Sequence, residues 1–582
     1  MGAFTLETID LIVMAVYAVF IIGYGLYSAK AQSSEEYFLA GRNMTWPIVG
    51  ISLFAANISS STLVGLAGDA YKTNTQVFNY EWLASVVLVF FAIFFLPFYL
   101  KSKVYTMPEF MERRYDVRSR YYFSFITIVG NVLLDTAAGL YVGTVVLKLL
   151  FPSLSTFTIV AILAIAAAAY TVPGGLNSVI QTEVIQAILL IIGSCLITYF
   201  AFGKIGGWDG LIAGLNEMGA AGQLPNPGGD YQPSNAEEVL SLVRPAGETW
   251  REFLLGTGGD QFMPWTGLLL GAPILGFYFW ANNQFMVQRV LGARDLNHGR
   301  WGALFAGLLK LPVLFIMVLP GTAAIVYMQQ NGLNIADINY QLPGGGICED
   351  LAECPNATYP MLLFEMLPTG ILGLVLAGLL AAMMSSVSAT FNSASTLITM
   401  DFAIKLFPNL SSKQLVRVGQ VSTLILVILA CAWAPQIERY ASLWEYLQLV
   451  LSFIAPPIAA AFIVGLFWSR ANGTGAFISL LAGAAISVIY LLADGAEVDN
   501  WFTQMHFLHR TFYLFILCGI INVVVSLMTA PPDEEKVHNY TWNINLLHAE
   551  TKELEGLPWY KNYRYQAVAL LIITFLLVGW FW

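Results

Sequence analysis

Five side chains carrying a charge or an amide stand inside otherwise apolar stretches: Glu81, Asp135, Glu183, Lys310 and Gln448. A lone charge away from water neutralises or finds a partner, and polar groups at membrane depth are functional candidates by default. Glu81 lies between Tyr80 and Trp82, and Phe279 precedes Trp280. Carboxylate, amide and ammonium groups beside aromatic rings suit a neutral polyhydroxylated ligand, with hydrogen bonds for its hydroxyls and an apolar platform for its ring face. A second set offers only oxygen. On a helix, the Ala382 carbonyl and the hydroxyls of Ser385 and Ser386 fall one turn apart and point the same way. Hard cations take several oxygen ligands, and carbonyls released near Ala55 and Ile58 would complete a neutral shell for Na⁺. Such a site is weak and exchangeable. Glu183, near one end of its span, reads either as part of an ion path or as an interfacial residue.

Two elements must unwind to present these groups. The run Ala55-Ala56-Asn57-Ile58-Ser59-Ser60-Ser61-Thr62, followed by Gly65 and Gly68, is too rich in small and polar residues for an ordinary lipid-facing helix. It predicts opened backbone lining a cavity. The second is Gly271-Ala272-Pro273 with Gly276, Phe277, Tyr278, Phe279 and Trp280 behind it, where Pro removes a donor and Gly weakens the helix. Two interrupted helices about five spans apart are the pattern of inverted-repeat secondary transporters, which bind their cargo where both helices break.

The rest of the chain fits that frame. Of 582 residues, 57% are hydrophobic and 11% charged, with mean hydropathy +0.67, whereas soluble domains carry roughly 25% charged residues. This is a polytopic membrane protein. Apolar windows of ~19 residues mark about fourteen spans, starting near Leu11, Trp46, Leu83, Tyr121, Thr158, Val184, Trp265, Ala303, Ile371, Val421, Leu447, Ala476, Phe512 and Ala567. The runs are continuous rather than alternating, so the fold class is all-α integral membrane. The first span is not read as a signal peptide, because Met1 to Asp10 holds Glu7 and Asp10 but no Lys or Arg. With both termini outside, roughly 19 of the 27 Lys and Arg fall on the inner side, as a plasma membrane, or a bacterial inner membrane, requires.

Several classes drop out. A net charge of −10 argues against nucleic acid as a partner, which needs clustered cations. Gly68-Asp69-Ala70-Tyr71-Lys72-Thr73 lacks the Gly before Lys of a phosphate-binding loop, so an ATP-driven pump is not expected. No metalloprotease motif or other enzyme constellation appears, and no enzyme is expected. A solute sensor is a weaker alternative, since no inner loop holds a large output domain. Cys348 and Cys354, in a loop, either close a small disulfide or stay as free thiols. Asn356-Ala357-Thr358 in the same loop matches a glycosylation sequon, most simply by chance.

At these residues the sequence resembles the sodium/solute symporter family, in particular its sodium/glucose cotransporter branch, over nearly the whole chain. The ordered motifs are Tyr37-Phe38-Leu39-Ala40-Gly41-Arg42, Ala55-Ala56-Asn57-Ile58-Ser59, Tyr80-Glu81-Trp82, Val287-Gln288-Arg289, Leu309-Lys310-Leu311, Ser385-Ser386, Phe391-Asn392-Ser393-Ala394 and Thr399-Met400-Asp401. The resemblance implies a LeuT-type core of ten helices in two inverted repeats with broken first and sixth core helices. On this chain that places a leading helix and inner loop at 1–42, repeats at 43–202 and 263–470, an outer loop at 203–262, and peripheral helices at 471–582. By similarity, sodium falls on Ala55, Ile58, Ala382, Ser385 and Ser386. Substrate contacts fall on Asn57, Glu81, Asp135, Lys310 and Gln448, with Tyr80 and Trp444 on the outer side and Phe279 and Trp280 on the inner. A second sodium, found in some members, implies Glu183, Ser385 and Ser388, although Ala389 removes one ligand. The implied function is sodium-coupled import of a neutral sugar such as glucose or galactose; inositol, sialic acid or a carboxylate is the alternative cargo. Thr62, Ala84 and Gly276 depart from characterised sugar carriers. Phe279 stands where a Tyr hydroxyl usually latches to the residue matching Asn57.

Overall fold

The computed structural model describes residues 6–29, 33–151, 153–227, 231–258, 262–333, 335, 347–439, 443–495, 501 and 503–582. Apolar runs of this length must satisfy their backbone groups internally. Among the described residues the chain is accordingly helical, and extended pairing is limited to isolated bridges such as Met44 to Ala293.

The crossings are α1 (Thr8–Ser28), the pair α2 (Trp46–Asn57) and α3 (Ser60–Thr73), α4 (79–102), α5 (Val117–Leu150), and α6 (Thr156–Ile205). There follow the pair α7 (265–282) and α8 (Gln284–Leu291), the bent pair α9 (Leu296–Lys310) and α10 (Leu314–Asn331), and α11 (Ile371–Leu406). The last five are α12 (Ser412–Trp433), α13 (Leu443–Phe467), α14 (Gly473–Gly495), α15 (Phe507–Met528) and α16 (Tyr563–Trp580). At 50 residues, α6 would run about 75 Å if straight, far beyond a hydrocarbon core of roughly 30 Å. It kinks at Gly175, whose φ of 55° and ψ of −149° only glycine adopts without cost. A side chain there would also strike the ring of Tyr37. Among the described residues ten helices, or eleven with the bent pair α9 and α10, are long and apolar enough to cross a membrane. The fourteen spans of the hydropathy reading follow only when Ser60–Ser102 and α6 are each divided into two crossings and the pair α7 and α8 is added. Pro173 and Gly174, which precede the kink, stay within the helical run.

Helix α11 carries Ser385 and Ser386, and its position is fixed from another helix. Gly370 precedes it and has no side chain to cap the first turn. Asp10 of α1, only 1% exposed, supplies the acceptor instead, taking hydrogen bonds from the N–H groups of Gly370 and Gly373 at 2.7 Å each. A carboxylate at a helix N-terminus also meets the positive end of its dipole.

At the basic end of the bundle, a charged clamp ties the short helix Met107–Arg114 to α5 and α11. Arg120 pairs with Glu112 and, at 2.6 Å, with Asp401; Lys405 reaches Glu112 at 2.9 Å. Partial burial raises the Glu112 carboxyl, but hydrogen bonds and charge from Arg120 and Lys405 outweigh it and hold the group below its ordinary range. A depressed carboxyl stabilises the fold above its unfolded value, about 4.3, and loses that contribution as pH falls through the folded value. The melting temperature of detergent-purified protein is therefore expected to drop more steeply below about pH 4.3 in the wild type than in Glu112→Gln. Identical acid limbs in the two proteins would show that the clamp contributes no stability.

In the loop between α10 and α11, Cys348 and Cys354 are bridged, the first of the two alternatives that the sequence leaves open. Asn356 and Thr358 are buried at 7% and 0% exposure, so the sequon is not displayed. Pro355 packs so closely on Gly68 of α3 that a Cβ there would meet its carbonyl.

Candidate functional site

Helix α2 ends at Asn57 because the hydrogen-bond ladder changes partners. The Ser59 N–H turns to the Asn57 carbonyl at 2.9 Å, and the Thr62 N–H to the Ser59 hydroxyl at 3.2 Å. In a continuous helix these donors would serve the carbonyls of Ala55 and Ile58. Both oxygens are thereby released from the ladder, as the density of small polar residues predicts. The Ser385 hydroxyl donates to the Ala55 carbonyl at 3.3 Å and to the Ala382 carbonyl at 2.9 Å. The Ser386 hydroxyl reaches Ala382 and Met383 carbonyls at 3.1 Å each. Four of the five residues expected to hold sodium are thus linked across α2 and α11, and the donor set is neutral oxygen throughout. That chemistry fits a weakly held monovalent hard cation.

The sixth core crossing is broken as expected, but not where expected. Through Gly271-Ala272-Pro273 the backbone stays helical, with Gly271 at φ −92° and ψ −42°. Pro273 sits at the start of a helical turn, where its missing N–H costs little. The interruption lies at Asn283, after the π-turn Tyr278–Asn282; Asn283 is extended and its side chain caps α8 by accepting from the Phe285 N–H at 3.3 Å.

Beside both breaks lies a cavity of about 120 Å³ lined by Asn57, Tyr80, Glu81, Asp135, Phe279, Trp280, Lys310 and Gln448. These eight residues come from α2, α4, α5, α7, α9 and α13. The Trp444 side chain lies outside the described residues. Lys310, at the last turn of α9 before the bend, forms an ion pair with Glu81 and also donates to the Asn57 side-chain oxygen. Its ammonium stands 5.9 Å from the centre of the Trp280 ring. Asn57 is therefore held by Lys310, and the latch that Phe279 cannot make is not replaced by Tyr278, which does not line the cavity. Phe279 instead packs edge-on against Trp280 and Phe285, at 5.4 and 5.6 Å. Tyr80 meets Phe262 edge-on at 6.2 Å.

The implied second sodium set is not assembled here. Glu183 is fully buried, receives the Ser52 hydroxyl, and is ion-paired with Arg289 of α8. The Ser388 hydroxyl goes to Tyr170 at 2.7 Å. The carboxylate is neutralised by a cation the sequence displayed only as the end of Val287-Gln288-Arg289, 106 residues away. Residues that the sequence reading left out of the site include Ser59, Ser61 and Thr390, which also line the cavity. Ser59 and Ser61 stood inside the polar run already singled out. Thr390 lies one turn beyond Ser386, a register that could have placed it.

Two discontinuous helices facing a mostly apolar cavity with a few convergent polar groups, in a multi-pass helical bundle, define a secondary transporter rather than an enzyme. The sodium:solute symporter family model matches residues 37–483, and the chain belongs to that family. It is 33% identical to the zebrafish (Danio rerio) sodium/glucose cotransporter 4, covering 96% of this chain and 84% of that protein. It is 34% identical to the bovine (Bos taurus) sodium/mannose cotransporter, covering 92% and 89%, and 34% identical to the human sodium/myo-inositol cotransporter 2, covering 92% and 79%. Among solved structures, a substrate-bound outward-open Na⁺-coupled sialic acid symporter superposes with a TM-score of 0.70 at 22% identity, covering 91% of this chain and 99% of that one. A nucleobase-cation symporter, Mhp1, superposes at 0.53 and 12% identity, covering 88% and 99%. The fold is LeuT-type.

Proposed function

We propose that the protein imports a neutral hexose-like sugar together with Na⁺ by alternating access, in the plasma membrane or a bacterial inner membrane, with both termini outside. The observation that carries this reading is the convergence of hydrogen-bonding and aromatic residues from six helices on one cavity, directly beside the released carbonyls of α2. The relatives named for glucose, mannose and myo-inositol support a neutral polyhydroxylated ring as cargo. An anionic cargo is disfavoured, because Lys310 is already neutralised by Glu81 and Asp135 adds a negative charge to the cavity wall.

Sodium enters as co-substrate. The Ala55, Ile58 and Ala382 carbonyls with the Ser385 and Ser386 hydroxyls would hold it, drawing α2 and α11 together on the flank of the sugar cavity. An ion that binds two conformations equally shifts neither; this cradle exists only when those two helices meet. One charge falling through ~100 mV releases about 2.3 kcal/mol, and a tenfold gradient adds about 1.4 kcal/mol. One ion therefore sustains accumulation of several hundredfold. The deciding experiment is uptake of labelled hexoses by proteoliposomes with and without a sodium gradient. Ser386→Ala is expected to shift the half-activating sodium concentration upward about tenfold or more; unchanged sodium dependence would defeat the site assignment.

A further inference from the structure

The charges on the cavity wall do not balance. Glu81 and Lys310 neutralise one another. Asp135 lines the same cavity and has no hydrogen-bond or ion-pair partner among the described residues. The hydroxyls on the neighbouring helical turns are committed: Thr136 and Thr390 bond to each other at 2.6 Å, and Thr390 to the Val387 carbonyl at 3.0 Å. A carboxylate facing a largely apolar cavity without a partner is costly, and what relieves it is a cation or several strong donors.

A metal ion is a poor match for this position. Hard cations require several oxygens converging on one point, and Asp135 is flanked on the cavity wall by the apolar Leu134 and Ala138. A substrate ammonium is a good match, since its donors need one carboxylate and the rest of its molecule brings hydroxyls for Gln448, Glu81 and Asn57. Resting on the sugar reading above, we infer that the cavity takes amino sugars, protonated amino-deoxyhexoses, in preference to the matching neutral hexoses, with the ammonium against Asp135. Replacing one hydroxyl by an amine leaves the size of the sugar nearly unchanged, so the preference is one of charge rather than shape. Because the cargo then carries a charge, one more elementary charge moves per sugar than with glucose.

The test uses the full-length protein in proteoliposomes near pH 6.5, where an aliphatic amine is protonated. Glucose, mannose, myo-inositol and the 2-, 3- and 6-amino-deoxyglucoses compete against labelled glucose, and charge movement is recorded with each. At least one amine is expected to compete about tenfold better than glucose and to raise the charge per sugar by one. In Asp135→Asn that advantage should collapse to about unity. Should Asp135→Asn prove too unstable to assay, the wild-type competition and charge-per-sugar measurements decide alone. No advantage for any amine, or an advantage that survives in Asp135→Asn, overturns the inference. So does loss of steepness in the sodium activation of glucose uptake by Asp135→Asn with no amine preference in the wild type, which would assign the carboxylate to an ion. If the neutral sugars are carried and the amines are not favoured, only this inference falls. If none of the six solutes is carried, the sugar reading itself falls.

Discussion

Glu81→Ala is expected to reduce sugar uptake by at least about a hundredfold while leaving the sodium affinity of the protein within a few-fold of the wild type. Two losses combine. The variant removes a carboxylate acceptor from the cavity, and it strands the Lys310 ammonium, 1% exposed, without its counter-charge. Removing one partner of a buried ion pair costs about 3–5 kcal/mol, whereas exchanging both for neutral groups of similar volume is far milder. Glu81→Gln combined with Lys310→Met should therefore recover much of the melting temperature lost in either single variant and still fail to carry sugar. Sodium affinity is spared because Ser385 and Ser386 bond to α2 and α11 carbonyls and not to Glu81. A double variant as unstable as the single ones would show that the two charges do not depend on each other.

Arg289→Ala is expected to be the most damaging substitution outside the cavity. The pair that Arg289 makes with Glu183 is wholly buried, and with Ser52 it joins α2, α6 and α8 between the cavity and the basic end of the bundle. Leaving Glu183 uncompensated should cost about 3–5 kcal/mol, seen as a lowered melting temperature. Glu183→Gln with Arg289→Met should regain stability, because no charge is then stranded. The regained protein should pass sugar with weakened dependence on sodium, because the charged link among α2, α6 and α8 is gone. Tight coupling in the stable double variant would show that the pair serves folding only. Arg289 also donates to the Phe285 carbonyl within its own helix, so Arg289→Lys, which keeps the charge but not the fork, separates charge from geometry.

Much of this was readable from residue types, and the exceptions share a physical cause. The apolar crossings follow from unbroken apolar runs, a local property. The opening of the helix after Asn57 follows from Ser59 and Thr62, whose side chains can replace backbone partners within a few residues. The convergence of Asp135, Lys310 and Gln448 on Glu81 came from the resemblance, because no local pattern brings α4, α5, α9 and α13 together. The second break lies beyond Gly271-Ala272-Pro273 because Gly and Pro interrupt a helix only when they fall inside a turn. Pro273 falls at a start, and a π-turn with an extended Asn283 does the work instead. The partner of Glu183 is invisible for a different reason: an ion pair between positions 106 residues apart leaves no periodic trace, and Arg289 stands in the sequence only at the end of Val287-Gln288-Arg289. The identity of the cargo was not legible either, since Thr62 spends its hydroxyl on the Asn57 carbonyl at 3.0 Å and Gly276 presents no side chain.

The carboxylate of Asp10 reaches the first turn of α11 from a helix that precedes both broken segments. A shortened carrier that began at the first of those segments would retain every residue of the cavity and of the oxygen cradle, yet two glycine amides would face apolar surroundings with nothing to accept them. Anyone reducing the transporter to a minimal version would have to keep the leading helix or engineer a replacement acceptor ahead of Gly370.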